Sequence, residues 1–268
     1  MNVGLIGGGA MGEAIVSAVL KAGVVTPLQL KVFDVIPDRV RQLGAAYGVA
    51  MAESPAEAVE SVDFAVFAVK PQDFARAADA VSGKLKGATV ISIMAGVTVK
   101  QLSKALKTDT VVRSMPNTPA QIGEGMTVWT ATPDVGEEAR DGVRRILGAM
   151  GKEAYVPEEK YLDMATGLSG SGPAYVFLFI EALTDAGVHI GLSRDLAATM
   201  ALQTVLGSAK YAEATGRHPA ELRNQVTSPG GTTAEALRAF EAGSFRADVL
   251  EAVVAAYEKS KALGEGDK

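Results

Sequence analysis

The sequence predicts an α/β fold in which a doubly wound parallel sheet is followed by an all-helical domain. In the N-terminal part, short β-branched runs alternate with longer amphipathic stretches, which is the pattern of a parallel sheet covered by helices on both faces. The strand runs are apolar throughout, as expected of strands buried on both sides. After about Lys160 no further strand pattern follows, and long helical stretches replace the alternation.

The first predicted domain covers residues 1–160 and contains six strands and four helices. The strands are Val3–Ile6, Leu30–Phe33, Phe64–Val69, Val90–Ile93, Val111–Ser114 and Met126–Trp129. Between them, apolar residues recur at helical spacing. These helices are Glu13–Lys21, Asp38–Ala46, Phe74–Val81 and Val99–Leu106.

The second predicted domain covers residues 161–268 and consists of helices alone. They are Pro173–Ala186, Ser193–Ala214, Pro219–Val226, Thr233–Ala242 and Arg246–Leu263. Gly187 is interpreted as the stop signal of the first of them. The tail Gly264–Lys268 is expected to be disordered because it carries only glycine and charge.

The helical domain is expected to form a homodimer. Segments such as Ala197–Leu206 are apolar on most sides, and a helix of that kind must be buried all round. About a hundred residues of helix are too few to provide that burial alone. A second subunit would complete it; the alternative is that the helices only cover the first domain.

Composition excludes several classes of function. The net charge of −5 argues against binding to nucleic acid or an anionic membrane. There is no cysteine, so disulfides and thiolate metal sites are excluded. His189 and His218 are not spaced as metal ligands, and no metal is expected. No apolar run approaches the roughly 20 residues of a membrane span, and no basic segment precedes Val3, so a cytoplasmic location is expected.

The segment Gly7–Gly12 matches the dinucleotide-binding pattern G-x-G-x-x-G between a predicted strand and a predicted helix. Gly7 permits a tight turn, Gly9 lets the backbone approach a pyrophosphate, and Gly12 allows the helix to pack closely. The free N–H groups of the helix start favour the phosphates. The residues expected to contact the cofactor here are Gly7, Gly9, Ala10, Met11 and Gly12.

Asp34 ends the second predicted strand, about twenty residues after Gly12. A carboxylate at this place accepts hydrogen bonds from the adenosine ribose and repels a 2′-phosphate, which favours NADH over NADPH. Arg39 lies close enough in sequence to oppose that preference. Asp34 is equally well interpreted as a cap of the turn into Pro37.

Three further segments break abruptly at the carboxyl ends of predicted strands, where ligands of doubly wound sheets bind. They are Ala68–Pro71, Ser92–Gly96 and Arg113–Pro119. One such end is explained by a plain strand stop, but three on one edge favour a cofactor crevice. The residues expected to contact the cofactor are Ala68, Val69, Lys70, Pro71, Ala95, Gly96, Met115, Pro116 and Asn117, with Lys70, Met115 and Asn117 nearest the nicotinamide.

Five segments, in order, carry a family resemblance. They are Gly7–Gly12, Ala68–Pro71, Arg113–Pro119, Leu168–Tyr175 and Thr227–Thr233. Over nearly the whole chain the sequence resembles the pyrroline-5-carboxylate reductase family. The resemblance implies NADH- or NADPH-dependent reduction of 1-pyrroline-5-carboxylate to L-proline, the last step of proline biosynthesis. It also implies a Rossmann domain, a helical dimerisation domain and often a larger ring of dimers.

Two positions depart from the family pattern. Ala10 stands where many members have Asn, and Glu53–Pro55 occupies a region that often carries an Asn near the adenosine. Both departures concern adenosine binding and leave the expected reaction unchanged.

The segment Thr227–Thr233 is expected to bind the substrate carboxylate at a helix start. The first N–H groups of a helix are unpaired and favour an anion, and glycines let the anion approach the backbone. The alternative is a plain helix cap by Ser228 or Thr232. The residues expected to bind substrate are Ser228, Gly230, Gly231, Thr232, Thr233 and Ala234.

Thr233 is the predicted catalytic residue, in the role that similar enzymes suggest: its hydroxyl would orient the imine nitrogen, with water as the proton source. Two other functions are weighed against the reductase. A β-hydroxyacid dehydrogenase needs a general base, usually a lysine on the helix that opens its second domain, and Tyr175–Ala186 contains none. A non-catalytic dinucleotide sensor would have no use for a second anion site.

Overall fold

The structure, a computed structural model, describes residues 1–265 of the chain. The last helix continues through Glu265, so the expectation of a disordered tail was wrong for Gly264 and Glu265. The other residues of that predicted tail, 266–268, lie outside the described residues.

The N-terminal part is built around one eight-stranded sheet. Its strands lie in the order β3-β2-β1-β4-β5-β6-β7-β8, and all neighbours are parallel except the antiparallel pair β6 and β7. The strands are β1 Val3–Ile6, β2 Leu30–Phe33, β3 Ala50–Met51, β4 Phe64–Phe67, β5 Thr89–Ser92, β6 Val111–Met115, β7 Gly125–Ala131 and β8 Gly151–Tyr155. The predicted Rossmann-type sheet is therefore confirmed.

Twelve α-helices occur in the described residues. They are α1 Ala10–Lys21, α2 Pro37–Tyr47, α3 Pro55–Ala58, α4 Phe74–Val81, α5 Val99–Leu106, α6 Glu137–Gly148, α7 Lys160–Ala165, α8 Gly172–His189, α9 Arg194–Thr215, α10 Pro219–Gln225, α11 Thr232–Ala242 and α12 Phe245–Glu265. Short 3-10 turns cover Pro27–Gln29, Pro71–Asp73 and Thr118–Ile122, and a π-helical turn covers Thr166–Gly170.

The chain divides into two compact units. The first unit contains Met1–Ser171 and the end of the chain from Ala255, and the second contains Gly172–Val254. The hydrophobic core of the first unit covers both faces of the sheet and includes the fully buried Phe67 and Trp129. The sequence-based boundary after residue 160 stays a prediction.

In the second unit, α8 packs against α9, and Gly187 is where the two helices approach closely. A Cβ built on Gly187 would lie 2.9 Å from the Cβ of Ala197. The glycine is therefore a packing position inside α8, and its interpretation as a stop signal was wrong. Large apolar side chains of this unit remain exposed, among them Phe177 and Leu178, at 62% and 66%.

Among residues 1–265, no helix combines the length and the apolar content that crossing a membrane requires.

We predict that Thr127→Val raises the free energy of unfolding by about 1 kcal/mol, because the buried Thr127 hydroxyl has no hydrogen-bond partner in the described structure. Ser114→Ala is the matched comparison, since the equally buried Ser114 hydroxyl donates to the Ser92 carbonyl at 2.9 Å. It should lower the same free energy by about 1 kcal/mol. Urea unfolding measures both changes, and a destabilised Thr127→Val would contradict the prediction.

Candidate active site

A cleft of about 500 Å³ opens at the carboxyl ends of β1, β2 and β4. The strand order reverses at β1, and ligands of doubly wound sheets bind at such a point. The cleft lining contains sequence-predicted residues from all three strand ends. They are Gly7, Gly9, Asp34, Ala68, Val69 and Lys70.

The glycine loop has the form that a dinucleotide pyrophosphate needs. Gly7 has φ +104°, and a Cβ there would lie 2.6 Å from the Ala68 carbonyl oxygen. A Cβ on Gly12 would lie 2.0 Å from the Gly7 carbonyl oxygen. Gly9, by contrast, has nothing within 4 Å of such an atom and borders the cleft. The protein therefore needs Gly7 and Gly12 for its own packing, whereas the space beside Gly9 is available to a ligand.

The start of α1 offers unpaired donors next to this loop. Within the described residues, the N–H groups of Ala10 and Met11 have no acceptor, while the Glu13 N–H bonds the Gly9 carbonyl at 2.8 Å. Unpaired N–H groups and the positive end of the helix dipole favour a phosphate at this place. The residues present thus fit a dinucleotide cofactor.

Asp34 uses both carboxylate oxygens to order the loops around the cleft. One oxygen accepts the Gly8 N–H at 2.6 Å, and the other accepts the Ile36 N–H at 2.8 Å. Asp34 therefore caps the turn that follows it, as one of the two interpretations of the sequence expected. The ribose interpretation stays compatible with it, because each carboxylate oxygen can accept more than one hydrogen bond.

Arg39 is engaged by the protein itself. Its Nε donates to the Gly8 carbonyl at 2.5 Å, one terminal nitrogen pairs with Glu13, and the other donates to Gln42 at 3.2 Å. Tyr47 also donates to Glu13, at 3.1 Å. The hydrogen bond from Arg39 lowers the pKa of the Glu13 carboxyl, and burial raises the pKa of the Tyr47 hydroxyl. Glu13 thus neutralises the charge of Arg39, and the hydrogen bond to Gly8 holds the guanidinium against the glycine loop.

The predicted cofactor residues at the end of β5 lie elsewhere in the first unit. Gly96 adopts φ +74°, and a Cβ there would lie 3.1 Å from the Leu263 Cβ, so the Ala95–Gly96 turn packs against the last turns of α12. In the described structure, the lining of the cleft does not include these two residues. Pro71 begins the 3-10 turn that follows Lys70.

Asn117 holds two other segments of the first unit together. Its Oδ1 accepts the Met126 N–H at 2.9 Å, and its Nδ2 donates to the Ser169 carbonyl at 3.0 Å in the π-helical turn. Met115 lies against the same turn, where a Cβ on Gly170 would be 2.8 Å from the Met115 Cε. Pro116 lies between these two residues. The sequence predicted Met115, Pro116 and Asn117 as cofactor contacts, with Met115 and Asn117 near the nicotinamide, and this stays a prediction.

A buried ion-pair network fixes the end of β6. Arg113, 3% exposed, pairs with Glu159 at 2.8 Å and with Asp163 at 3.3 Å. Glu159 also accepts the Val99 N–H at 2.7 Å, and Ser260 of α12 donates to Asp163 at 2.9 Å. Satisfied charges of this kind hold their elements in one arrangement, since loss of one partner leaves a buried charge unpaired.

The segment before α11 is a tight turn whose backbone conformation favours glycine. The Gly231 N–H bonds the Ser228 carbonyl at 3.0 Å across Pro229 and Gly230. Gly230 has φ +69°, and proline followed by a residue of positive φ is the requirement of a type II turn. A Cβ on Gly231 would lie 2.4 Å from the Ser228 Oγ. The turn itself therefore requires glycine at Gly230, while Gly231 is crowded by the Ser228 side chain; the approach of a carboxylate to these glycines stays a prediction.

The start of α11 leaves two amides unpaired. Among the described residues, the N–H groups of Thr232 and Thr233 have no acceptor. The third expected donor is engaged, because the Ala234 N–H bonds the Gly231 carbonyl at 3.1 Å. The N-cap residue is Gly231, which has no side chain to cap the helix, so the alternative of a plain cap by Ser228 or Thr232 does not occur.

Comparison with known proteins agrees with this geometry. Residues 159–263 match the family described as pyrroline-5-carboxylate reductase dimerisation, and residues 2–96 match the family described as NADP oxidoreductase coenzyme F420-dependent. A pyrroline-5-carboxylate reductase of Escherichia coli is 43% identical, with 98% of each chain covered. One of Arabidopsis thaliana is 41% identical over 98% of this chain and 96% of that protein.

The chain belongs to the pyrroline-5-carboxylate reductase family. A crystal structure of the Plasmodium falciparum pyrroline carboxylate reductase with NADP bound has a TM-score of 0.89 and 33% identity, covering 99% of this chain and 98% of that one. The chain is therefore an NAD(P)H-dependent oxidoreductase of this family, as the sequence predicted. The match to a dimerisation family supports the predicted homodimer.

Sequence reasoning missed several residues around the cleft. Val35 and Ile36, 62% and 60% exposed, border it directly after Asp34. Two exposed β-branched residues after a strand-ending acid are a signal that could have indicated an apolar surface for a flat ring. Other lining residues came from neighbouring elements and carried no such signal. They are Ile6, Phe33, Asp73, Arg76, Ala77 and Ala80.

We predict that Gly9→Ala weakens NAD(P)H binding by about tenfold or more while thermal stability stays within about 2 °C, because the added methyl meets only the ligand. Gly12→Ala is the control in which the methyl meets the Gly7 backbone, and it should destabilise the apoprotein by about 2 kcal/mol or more. Calorimetric titration with coenzyme and thermal melts measure both effects. An unchanged coenzyme affinity in Gly9→Ala would show that the pyrophosphate does not lie beside Gly9.

Proposed function

We propose that this chain reduces the C=N bond of 1-pyrroline-5-carboxylate with NADH or NADPH to give L-proline, the last step of proline biosynthesis. The single observation that carries the proposal is the pair of unpaired N–H groups at Thr232 and Thr233, behind the turn of Ser228–Gly231. Relatives named for this reaction match the chain at about 40% identity along its length.

The substrate carboxylate binds at the start of α11. The N–H groups of Thr232 and Thr233 donate to it, and the positive end of the helix dipole adds to the attraction. The tight turn at Pro229 and Gly230 fixes the direction in which these donors face before substrate arrives. Such preorganisation lowers the entropy that binding must overcome.

Thr233 orients the reacting bond. A protonated imine is already an electrophile, so the protein needs to supply orientation and electrostatics rather than a strong acid. The Thr233 hydroxyl hydrogen-bonds the ring nitrogen, and water is the final proton source. A bound dihydronicotinamide supplies the hydride.

NADH is the preferred coenzyme in this proposal. Asp34 presents a carboxylate to the ribose, and Arg39 is already engaged by Gly8 and Glu13. A 2′-phosphate would therefore meet the Asp34 carboxylate, and the Arg39 guanidinium beside it already has protein partners. The NADP-bound relative from Plasmodium falciparum shows that the family also accommodates the phosphate.

The assembly and location are proposed from sequence. A homodimer forms through the helical domain, and a larger ring of dimers and a cytoplasmic location stay predictions from the family resemblance and the composition.

The decisive experiment follows oxidation of NADH and NADPH in parallel with the cyclic imine as substrate. We expect turnover with both coenzymes and a higher kcat/KM with NADH. The competing candidate is a β-hydroxyacid dehydrogenase, which α8 disfavours because Gly172–His189 contains no lysine. Oxidation of 2- or 3-hydroxy acids without imine reduction would replace the proposed function by that one.

We predict that Thr233→Ala lowers kcat by about ten- to a hundredfold, in line with the loss of one polar contact to the reacting group. Thr233→Ser keeps the hydroxyl and should recover most of the rate. Thr215→Ala is a matched control, because the Thr215 hydroxyl bonds carbonyls of its own helix, at Tyr211 and Ala212. Equal steady-state rates for Thr233→Ala and the wild type would remove Thr233 from the mechanism.

A further inference from the structure

We propose that Glu13 sets the coenzyme preference of this chain by occupying the guanidinium of Arg39. The inference rests on the proposed use of NAD(P)H and assigns the choice between the two coenzymes to a residue of α1. Sequence reasoning had treated Glu13 only as the beginning of a helix.

Arg39 and Asp34 are anchored at the same residue of the glycine loop. The Gly8 N–H donates to Asp34 at 2.6 Å, and the Gly8 carbonyl accepts from Arg39 at 2.5 Å. The aliphatic parts of both side chains pack beside Gly8, since a Cβ on Gly8 would lie 3.3 Å from the Arg39 Cγ and 3.5 Å from the Asp34 Cβ. The guanidinium is therefore held beside the carboxylate that is placed to read the ribose.

Every nitrogen of the Arg39 guanidinium has a partner. Besides Gly8, the partners are Glu13 and Gln42, and of these only Glu13 carries charge. Glu13 is in turn held by the Tyr47 hydroxyl at 3.1 Å. Recognition of a 2′-phosphate by arginine requires a guanidinium that can turn its donors to the phosphate. Here the ion pair with Glu13 both neutralises the charge and fixes the side chain.

Removal of the Glu13 charge should therefore favour the phosphorylated coenzyme. In Glu13→Gln, Arg39 keeps its contact with Gly8 and regains the positive charge that Glu13 neutralises in the wild type. We expect the ratio of the NADP⁺ dissociation constant to the NAD⁺ dissociation constant to fall about fivefold, the size of one partly screened charge interaction. Calorimetric titration of both coenzymes into the apoprotein measures this ratio without any turnover.

The mechanism is tested by a double-mutant cycle with Arg39→Met. If Glu13 acts through Arg39, Glu13→Gln should change the ratio by less than about twofold in the Arg39→Met background. A merely structural role of Glu13 would weaken both coenzymes alike and leave the ratio unchanged. Glu138→Gln makes the same change of net charge in the exposed first turn of α6 and should leave the ratio unchanged.

Three results would overturn the inference: an unchanged ratio in Glu13→Gln, a fivefold fall that persists without Arg39, or an equal fall in Glu138→Gln. Glu13→Ser, which also removes the charge, replaces Glu13→Gln if thermal melts show that the latter does not fold. Failure of the proposed function is separate, since it would appear as absent imine reduction with coenzyme binding intact.

Discussion

The binding chemistry proposed for this protein depends on two helix starts whose first N–H groups have no acceptor in the described chain. At α1 the groups belong to Ala10 and Met11, and at α11 to Thr232 and Thr233. The first N–H groups of any helix lack intrahelical partners, and most proteins cap them with a side chain. Neither start is capped here, because the N-cap residue is glycine in both. Both helix starts therefore favour a bound anion without a lysine or arginine.

The glycines around these helix starts serve different physical needs. Gly12 and Gly231 are crowded by other atoms of the protein, and Gly230 requires positive φ. Gly9 has an ordinary φ and open space beside it. Of these four, Gly9 is the one for which the fold itself gives no reason for glycine. A motif is therefore a mixture of residues needed for the loop and residues needed for what the loop binds.

The sequence predicted the sheet, the long helices and the family because these depend on local periodicity and on contiguous motifs. It missed β3, α3, α6, α7 and β8; in α6 and β8 the apolar residues are few and separated by charges, so neither periodicity was evident. Gly187 was misinterpreted because a stop signal and a close helix contact look alike in one dimension. The ion pair of Arg39 could not be predicted from the sequence either, since Glu13 lies 26 residues away along the chain.

The second unit, Gly172–Val254, has too few buried side chains to form a core of its own. Within Gly172–Val254, the buried side chains among the described residues are those of Thr184, Ala197 and Ala201. Such small side chains do not form a core that could stabilise a domain, while contiguous apolar surface of the kind at Phe177 and Leu178 marks an interface. The dimerisation family matched by residues 159–263 agrees with this. Because a dimer of this kind has much of its apolar core between subunits, its stability depends on protein concentration. The turn before α11, where we propose that the substrate carboxylate binds, belongs to this same unit, so that proposal links the order of the site to assembly.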